Sequence, residues 1–447
     1  MRRNLEEKIM HWMMEGGDTM LFLDGSLGSG KTHLVLQTLQ NQSQTYQYIN
    51  ILLNPKAGEL FEQGYKETLA GIISLFLGNK QAELNENKIG FVMQDKYLVL
   101  DEFGNCPEYF RKICELRPLF LEQRIHIIFI TSFRNKEFQN LFVQAKKHQI
   151  LQCYTLYPMG FDEFLGALNY DWYADAIRDH FETGKALPDM IHNDLLQHLD
   201  QYLMLGGMPA AIAQYCELKD VLSATQIHEY IRTLTREQGQ KFLPKEQHLK
   251  FKKILENADL QLQKNNTKFQ YTTLKKGATK QEYLETIDFC TNHHLFYKLR
   301  QITTEGEVWN DSFKLYPQDV GMFLSKATRQ EIMSNQNLSK GIVESYVASN
   351  LLQNDAQVYF WESTGKAKVD FLIKERESLT PVIVQYDNST HQKNISVMKS
   401  SFENTSVMNS KLNFNVSVKF SMDNFSYKKN MKNIPLYALF SMKKHNI

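Results

Sequence analysis

The residues with the clearest chemical potential lie between 25 and 32: Gly25, Ser26, Leu27, Gly28, Ser29, Gly30, Lys31 and Thr32. The glycines permit backbone angles that turn successive N–H groups inward on one anion. Lys31 sets a cation against the outer oxygens of a phosphate chain, and the Thr32 hydroxyl is a ligand for Mg²⁺. The pattern carries this meaning where a strand precedes it and a helix follows. Met20–Leu23 is an apolar run of strand length, and Leu34, Leu36 and Leu39 spread through a helix-compatible stretch. A helix starting at Lys31 points its positive end at the same phosphate. ATP and Mg²⁺ are the expected ligands. The plain structural alternative, a glycine turn joining a strand to a helix, does not account for the full pattern in this context.

Phosphate chemistry also requires a carboxylate that positions the metal and a group that activates water. Asp101 and Glu102 follow the apolar run Tyr97–Leu100, so they emerge at the C-terminal end of a buried strand. Ligands of open parallel sheets bind at those ends. Asp101 is expected to hold Mg²⁺ through its water shell, and Glu102 to orient or deprotonate the attacking water. An acidic pair that merely caps the next helix is the competing reading. Ile125–Ile130 is another apolar run, ending in Thr131 and Ser132. Ser132 is expected to act as a sensor between the carboxylates and the terminal phosphate, against the alternative of an ordinary strand end. Arg111, Arg117, Arg124 and Arg134 are equally placed to serve as an arginine finger, and the sequence does not rank them.

These groups need a scaffold. Residues 4–16 read as a short amphipathic helix, and 46–53, 97–100, 125–130 and 151–156 as further strands, with a helical stretch through 123 and another from Phe161. Strands alternating with helices predict an α/β fold, a parallel sheet covered on both faces. From 170 to 245 the pattern is helical, broken at Gly206-Gly207-Met208-Pro209. A helix over 343–352 precedes strand-like runs at 356–361, 369–373 and 382–386, and Asn and Ser enrichment over 388–427 predicts long loops. At 447 residues the chain exceeds one compact core. Its net charge of +1 points to no partner class. Five cysteines without a C-x-x-C pair suggest neither a disulfide framework nor a zinc site, which fits a reducing compartment. No run approaches a membrane span, and no signal-peptide core follows Arg2 and Arg3, so a cytoplasmic protein is expected.

With the loop and the acidic pair placed, the chain resembles prokaryotic AAA-type ATPases that carry a C-terminal domain of unknown function. The resemblance runs through Leu100–Pro107, Leu156–Leu165, Tyr202–Pro209, Phe313–Gly321, Lys340–Ala348, Tyr359–Ser363, Val369–Ile373 and Ile434–Ala438, in that order. It implies a P-loop ATPase core over 1–170, a helical lid or connector over 171–245 and a winged-helix-like region over 246–310. A C-terminal domain with a restriction-endonuclease-like fold follows over 311–447. Phosphate loops of this family usually read Gly-x-Arg-Gln-x-Gly-Lys-Thr; here Leu27 and Gly28 stand at the Arg-Gln positions. The endonuclease resemblance implies a Glu on a helix, an Asp on a strand and Glu-x-Lys on the next strand. Glu344 and Asp370 match the first two positions, but Ile383 and Gln385 replace Glu and Lys. Asp387 and Lys368 are the residues that could compensate by strand alternation.

Three functions compete on this reading: a Mg²⁺-dependent ATPase that drives or gates its C-terminal modules, an ATP-gated DNA-binding switch with little turnover, and a metal-dependent nuclease. The Ile383 and Gln385 replacements count against the nuclease. Residues 250–300 hold ten Lys or Arg against five acidic residues, with Phe269, Tyr271 and Tyr283 interleaved. That composition suits a surface facing nucleic-acid phosphates, and equally a solvated lysine-rich face. The aromatics are expected to be core rather than base-stacking groups. The sequence leaves the protein partner and the oligomeric state open.

Overall fold

The computed structural model describes residues 1–15, 18–77, 95–263, 268–303, 306–335, 339–354, 356–363, 367–375, 378–385, 396, 398, 413–414, 417–428 and 431–442. One compact unit holds residues 2–156 and 237–245, and a second holds 157–236 and 246–447.

In the first unit, β1 (Met20–Asp24), β2 (Thr45–Asn50), β3 (Lys96–Asp101), β4 (Ile125–Thr131) and β5 (Leu151–Thr155) form a five-stranded sheet. The order is β2-β3-β4-β1-β5 and every pairing is parallel. The helices are α1 (Leu5–Met14), α2 (Lys31–Asn41), α3 (Glu59–Glu62), α4 (Tyr65–Leu77), α5 (Pro107–Glu122) and α6 (Lys136–Lys147). Alternation along the strands feeds two cores. Phe22, Leu98, Leu100, Ile127 and Phe129 pack with α5 and α6 through Phe110, Phe120 and Phe138. Leu21, Leu23, Val99, Ile128 and Ile130 pack with Trp12, Val35 and Leu39 of α1 and α2. Burial on both faces is why these strands read as unbroken apolar runs rather than alternating ones. β2 stops at Asn50, short of the expected Leu53, because the Asn50 side chain turns the chain. Its Oδ1 accepts the N–H groups of Leu52 and Leu53, each at 3.0 Å.

The second unit opens with α7 (Phe161–Ala167), α8 (Asp171–Thr183), α9 (Asp189–Leu205), α10 (Pro209–Leu218), α11 (Thr225–Gln240), α12 (Lys245–Leu262) and α13 (Lys280–Asn292). α11 continues into the first unit at its end. The hairpin of β6 (Phe296–Thr303) and β7 (Gly306–Pro317) is followed by α14 (Val320–Phe323), α15 (Lys326–Asn335) and α16 (Lys340–Gln353). Then come β8 (Gln357–Glu362), β9 (Lys368–Glu375), β10 (Ser378–Gln385), β11 (Asn413–Phe414), β12 (Ser417–Ser421), β13 (Ser426–Lys428) and β14 (Met431–Pro435). The nine strands form one mixed sheet in the order β13-β14-β12-β10-β9-β8-β6-β7, with β11 beside β10. β12 lies inside the stretch expected to be loop. Val418 and Phe420 are buried, and both edges of the strand are paired in parallel, to β10 and to β14. Its few apolar residues are diluted by Asn and Ser in the sequence around them. α16 is buried from Lys340 through Ser349, as expected of a helix without a polar face.

The break at Gly206-Gly207-Met208-Pro209 separates α9 from α10, with Gly206 in the left-handed region at φ 74° and Pro209 opening the new helix. A buried carboxylate fixes this turn. Asp319 accepts Gly207 N–H at 2.5 Å and Met322 N–H at 2.6 Å. Burial pushes the Asp319 carboxyl up from its ordinary 3.8 to about 6, against the opposing pull of the two amide bonds and of Arg329. The folded chain therefore keeps a proton that the unfolded chain releases, and stability falls as pH rises from 3.8 to about 6. Asp319→Ala should remove that slope and leave two buried N–H donors unpaired, costing about 2–5 kcal/mol at neutral pH. Denaturant unfolding at a series of pH values measures both effects.

Candidate nucleotide site

β1 runs directly into the glycine loop, and the β1–β5 pairing continues one step beyond the strand, with Leu156 N–H donating to Asp24 O at 2.8 Å. Gly25 follows at φ 145°, and a Cβ there would lie 2.2 Å from the Leu156 carbonyl oxygen. No other residue fits that position without parting the strands. Gly28 and Gly30 also have positive φ, and α2 starts at Lys31. Lys31 is buried, and its Nζ donates to Gly25 O and Ser26 O, both at 2.9 Å. Burial lowers the Lys31 pKa, although Glu102, Asp101 and Asp24 oppose the shift. The hydroxyls of Ser26 and Ser29 are buried without a hydrogen-bond partner. Two unpaired hydroxyls beside a buried ammonium suit the oxygens of a phosphate.

The sheet order places β4 between β1 and β3. The loop and the carboxylates therefore flank the strand that Ser132 follows. Thr32 Oγ1 donates to Asp101 Oδ2 at 2.8 Å. Tyr48 OH donates to the same oxygen at 2.8 Å, and Asn50 Nδ2 at 3.3 Å. Asp101 Oδ1 is buried and has no partner. A hydroxyl and a carboxylate in contact, with one carboxylate oxygen still unsatisfied, form a donor set of the kind Mg²⁺ takes, all hard oxygen. Thr32 and Asp101 are the residues that would hold it.

Glu102 takes a left-handed backbone, φ 58°, unusual for a residue with a side chain. Its Oε1 accepts Ser132 Oγ–H at 2.7 Å and its Oε2 accepts Ser132 N–H at 3.2 Å. Burial raises the Glu102 pKa; Lys31 and the Ser132 bonds pull the other way, and Asp101 adds to the rise. Thr131 is turned aside, its hydroxyl bonded to Phe133 O at 2.8 Å, so Ser132 alone of that pair touches the carboxylates' neighbourhood. Leu27 lies in the loop as a half-buried residue.

The arginines separate on geometry. Arg124 precedes β4, at the end of the sheet away from the carboxylates, and pairs with Asp95 at 2.9 Å. Arg111 pairs with Glu108 on the surface of α5, and Arg117 is half-buried on the same helix. Arg134 is internal: Nη1 donates to Asp24 Oδ2 at 2.8 Å and Nε to Gln139 Oε1 at 2.9 Å. Its guanidinium stacks 4.9 Å from the Phe142 ring. Asp24 also accepts the Thr155 hydroxyl at 2.8 Å. Arg134 thus braces the residue before the glycine loop from just beyond the end of β4. Arg3 braces the loop from the other side, donating to Ser29 O at 2.9 Å.

Sequence reasoning missed Tyr48, Asn50, Asp24, the role of Arg134, and Arg3. Asn50 is aligned with Asp101 by the β2–β3 register, which no local pattern reveals. Removing one member of the Asp24–Arg134 pair should cost about 3–5 kcal/mol, because the other charge stays buried. Asp24→Ala and Arg134→Ala combined should therefore cost about 2–3 kcal/mol less than their sum, as read from denaturant unfolding of the four chains of the cycle.

Three families match the sequence. One described as an AAA domain covers residues 17–165, a domain of unknown function (DUF8612) covers 196–331, and another (DUF4143) covers 339–439. A comparison with curated proteins gives no match. Among solved structures, the chain is similar to the Walker-type ATPase PABY2304 of Pyrococcus abyssi, with 12% identity over 74% of this chain and 95% of that one and a TM-score of 0.41. It is also similar to the Aeropyrum pernix ORC1 protein in complex with DNA, with 13% identity over 74% and 91% of the two chains and a TM-score of 0.31. For Drosophila ORC bound to AT-rich DNA and Cdc6 the values are 12%, 75%, 91% and 0.22. No helix among the described residues is long and apolar enough to cross a membrane. The chain thus carries an AAA domain over 17–165 and a domain of unknown function (DUF4143) over 339–439, an arrangement consistent with an AAA-type ATP-binding protein with a C-terminal domain of unknown function.

Proposed function

We propose that the chain binds ATP with Mg²⁺ at the glycine loop and hydrolyses it, and that the cycle drives or gates the segments beyond residue 170. The observation that carries this reading is the Thr32–Asp101 contact with Asp101 Oδ1 left unsatisfied, beside a buried Lys31. Loop N–H groups and Lys31 receive the phosphates; Lys31 exchanges its two backbone carbonyl partners for phosphate oxygens. Bound Mg²⁺ supplies charge neutralisation at the terminal phosphates. Tyr48 and Asn50 hold Asp101 in place for it. Glu102 orients the attacking water and takes its proton, and its raised pKa makes it a stronger base than a solvated carboxylate. Ser132 positions Glu102 and links it to the strand beside the phosphate loop.

The roles separate in two variants. Lys31→Ala should lose ATP-analogue binding. Glu102→Gln should retain binding while phosphate release falls by about a hundredfold or more. Equilibrium binding of a fluorescent ATP analogue and phosphate release are measured on the same preparations. Turnover at the parent rate in Glu102→Gln removes Glu102 from the chemistry.

DNA is the partner we propose for the 250–300 segment, and an ATP-gated DNA switch is the alternative function. Lys275 and Lys276 are exposed beside the turn at Gly277, and this favours a phosphate contact. Cations of the segment are partly neutralised, Lys275 by Glu282 at 3.8 Å, Lys252 by Glu256, Lys298 by Asp288 and Lys268 by Glu362. Tyr283 and Phe269 are buried, and Tyr271 packs on Phe269 and Phe313, so bases have no aromatic platform here. Recognition through phosphates alone is sequence-independent. Replacing Lys275 and Lys276 with Ala should weaken binding equally for all sequences and flatten the salt slope by about one to two units. An unchanged slope returns the segment to an ordinary solvated face.

A further inference from the structure

Glu344 and Asp370, the two residues matched to a nuclease metal site, are both buried in the second unit, and they are not open to a metal. Lys340 lies one helical turn before Glu344 on α16, and its ammonium sits between the two carboxylates, 3.0 Å from Glu344 Oε1 and 2.8 Å from Asp370 Oδ1. Glu344 Oε2 is 3.1 Å from Lys314 Nζ and accepts the Tyr316 hydroxyl at 2.5 Å. Asp370 Oδ2 accepts Val384 N–H at 3.2 Å. Every carboxylate oxygen is therefore engaged, two positive charges balance two negative ones, and none of the four charged side chains is more than 6% exposed. Burial lowers the Lys340 pKa, but Glu344 and Asp370 outweigh it and raise the group well above its ordinary value, so Lys340 remains a cation.

The residues that might have rescued a metal site do not enter it. Lys368, expected on the face of Asp370, is exposed at the start of β9. Ile383 is packed in an apolar cluster with Leu372 and Leu379, and Gln385 is bonded to Lys419 at 3.2 Å. Asp387 lies outside the described residues. Among the described residues no group of three or more His, Cys, Asp or Glu converges as metal ligands. Mg²⁺ needs oxygen lone pairs at about 2.0–2.1 Å, and an ammonium already holds the space between these two carboxylates.

We propose that the Glu344–Asp370 pair is a cation site that the chain fills with its own lysine: Lys340 occupies the place of a divalent ion, and removing its ammonium uncovers a latent two-carboxylate metal site. The cluster then ties α16 to β7 through Lys314 and Tyr316, and to β9 and β10 through Asp370, without any bound metal. The C-terminal domain works as a binding platform and not as a nuclease. This inference stands apart from the ATPase reading, since neither its residues nor its probe involves nucleotide.

The test is Mn²⁺ binding to the full chain without nucleotide, followed by electron paramagnetic resonance of free Mn²⁺. The parent, Lys340→Ala and Lys340→Ala/Asp370→Asn are compared; the double variant subtracts Mn²⁺ held elsewhere. Lys340→Ala should gain one Asp370-dependent Mn²⁺ site at least about tenfold tighter than any such site in the parent. Asp370-dependent Mn²⁺ binding by the parent, or a folded Lys340→Ala without the new site, overturns the proposal. Should Lys340→Ala fold poorly, Mn²⁺ in the refolding buffer should restore its yield, and failure to do so counts against the latent site. Plasmid nicking in Mg²⁺ or Mn²⁺ provides an independent arm. None is expected from the parent, and nicking that disappears in Asp370→Ala overturns the proposal.

Discussion

A carboxylate that loses its water must find donors, and in the first unit the three donors of Asp101 come from two separate pieces of chain. Thr32 reaches it from the start of α2, and Tyr48 and Asn50 reach it from the end of β2. Those contacts are available only if β2 pairs with β3 in the observed register and β4 holds β1 one strand away. The same spacing leaves a gap over β4, where Ser132 meets Glu102. The glycine loop, the end of β2 and the acidic pair are thus brought together around one buried side chain.

What the sequence made legible was local. The glycine loop, the strand before it and the helix after it occupy one continuous stretch, so residue type and spacing sufficed. Asp101 and Glu102 were legible because a strand end is marked by the loss of apolar residues. Tyr48, Asn50, Asp24, Arg134 and Arg3 were not, since each acts through a partner more than twenty residues away. Thr131 and Ser132 share the strand end, and the structure separates them by the direction of each hydroxyl, Thr131 on Phe133 O and Ser132 on Glu102. In the second unit β12 was hidden by composition, because its pairing partners, not its own sequence, make it a strand. Lys340 illustrates a different failure. Its i,i+4 relation to Glu344 is visible in the sequence, but only the fold brings Asp370 to the same ammonium.

Two buried ionic arrangements therefore do different work. Asp24–Arg134 joins two strand ends beside a site that must accept and release a ligand, with Thr155 and Gln139 completing the bonds. The Lys314–Lys340–Glu344–Asp370 arrangement joins a helix to strands and leaves no oxygen of either carboxylate over. Asp101 Oδ1 has no partner, whereas Glu344 Oε1, likewise outside any hydrogen bond, lies 3.0 Å from the Lys340 ammonium. On the proposed reading, one place takes its cation from solution and the other takes it from the chain.

The closed cluster also bears on how the second unit responds to its solvent. Exposed pairs such as Lys252–Glu256 weaken as dissolved ions crowd around them, whereas charges shut away from water are screened far less. The dehydration penalty of such charges falls as temperature rises. The link between α16 and its sheet is accordingly one that brine does not loosen and that warming strengthens relative to the apolar contacts around it.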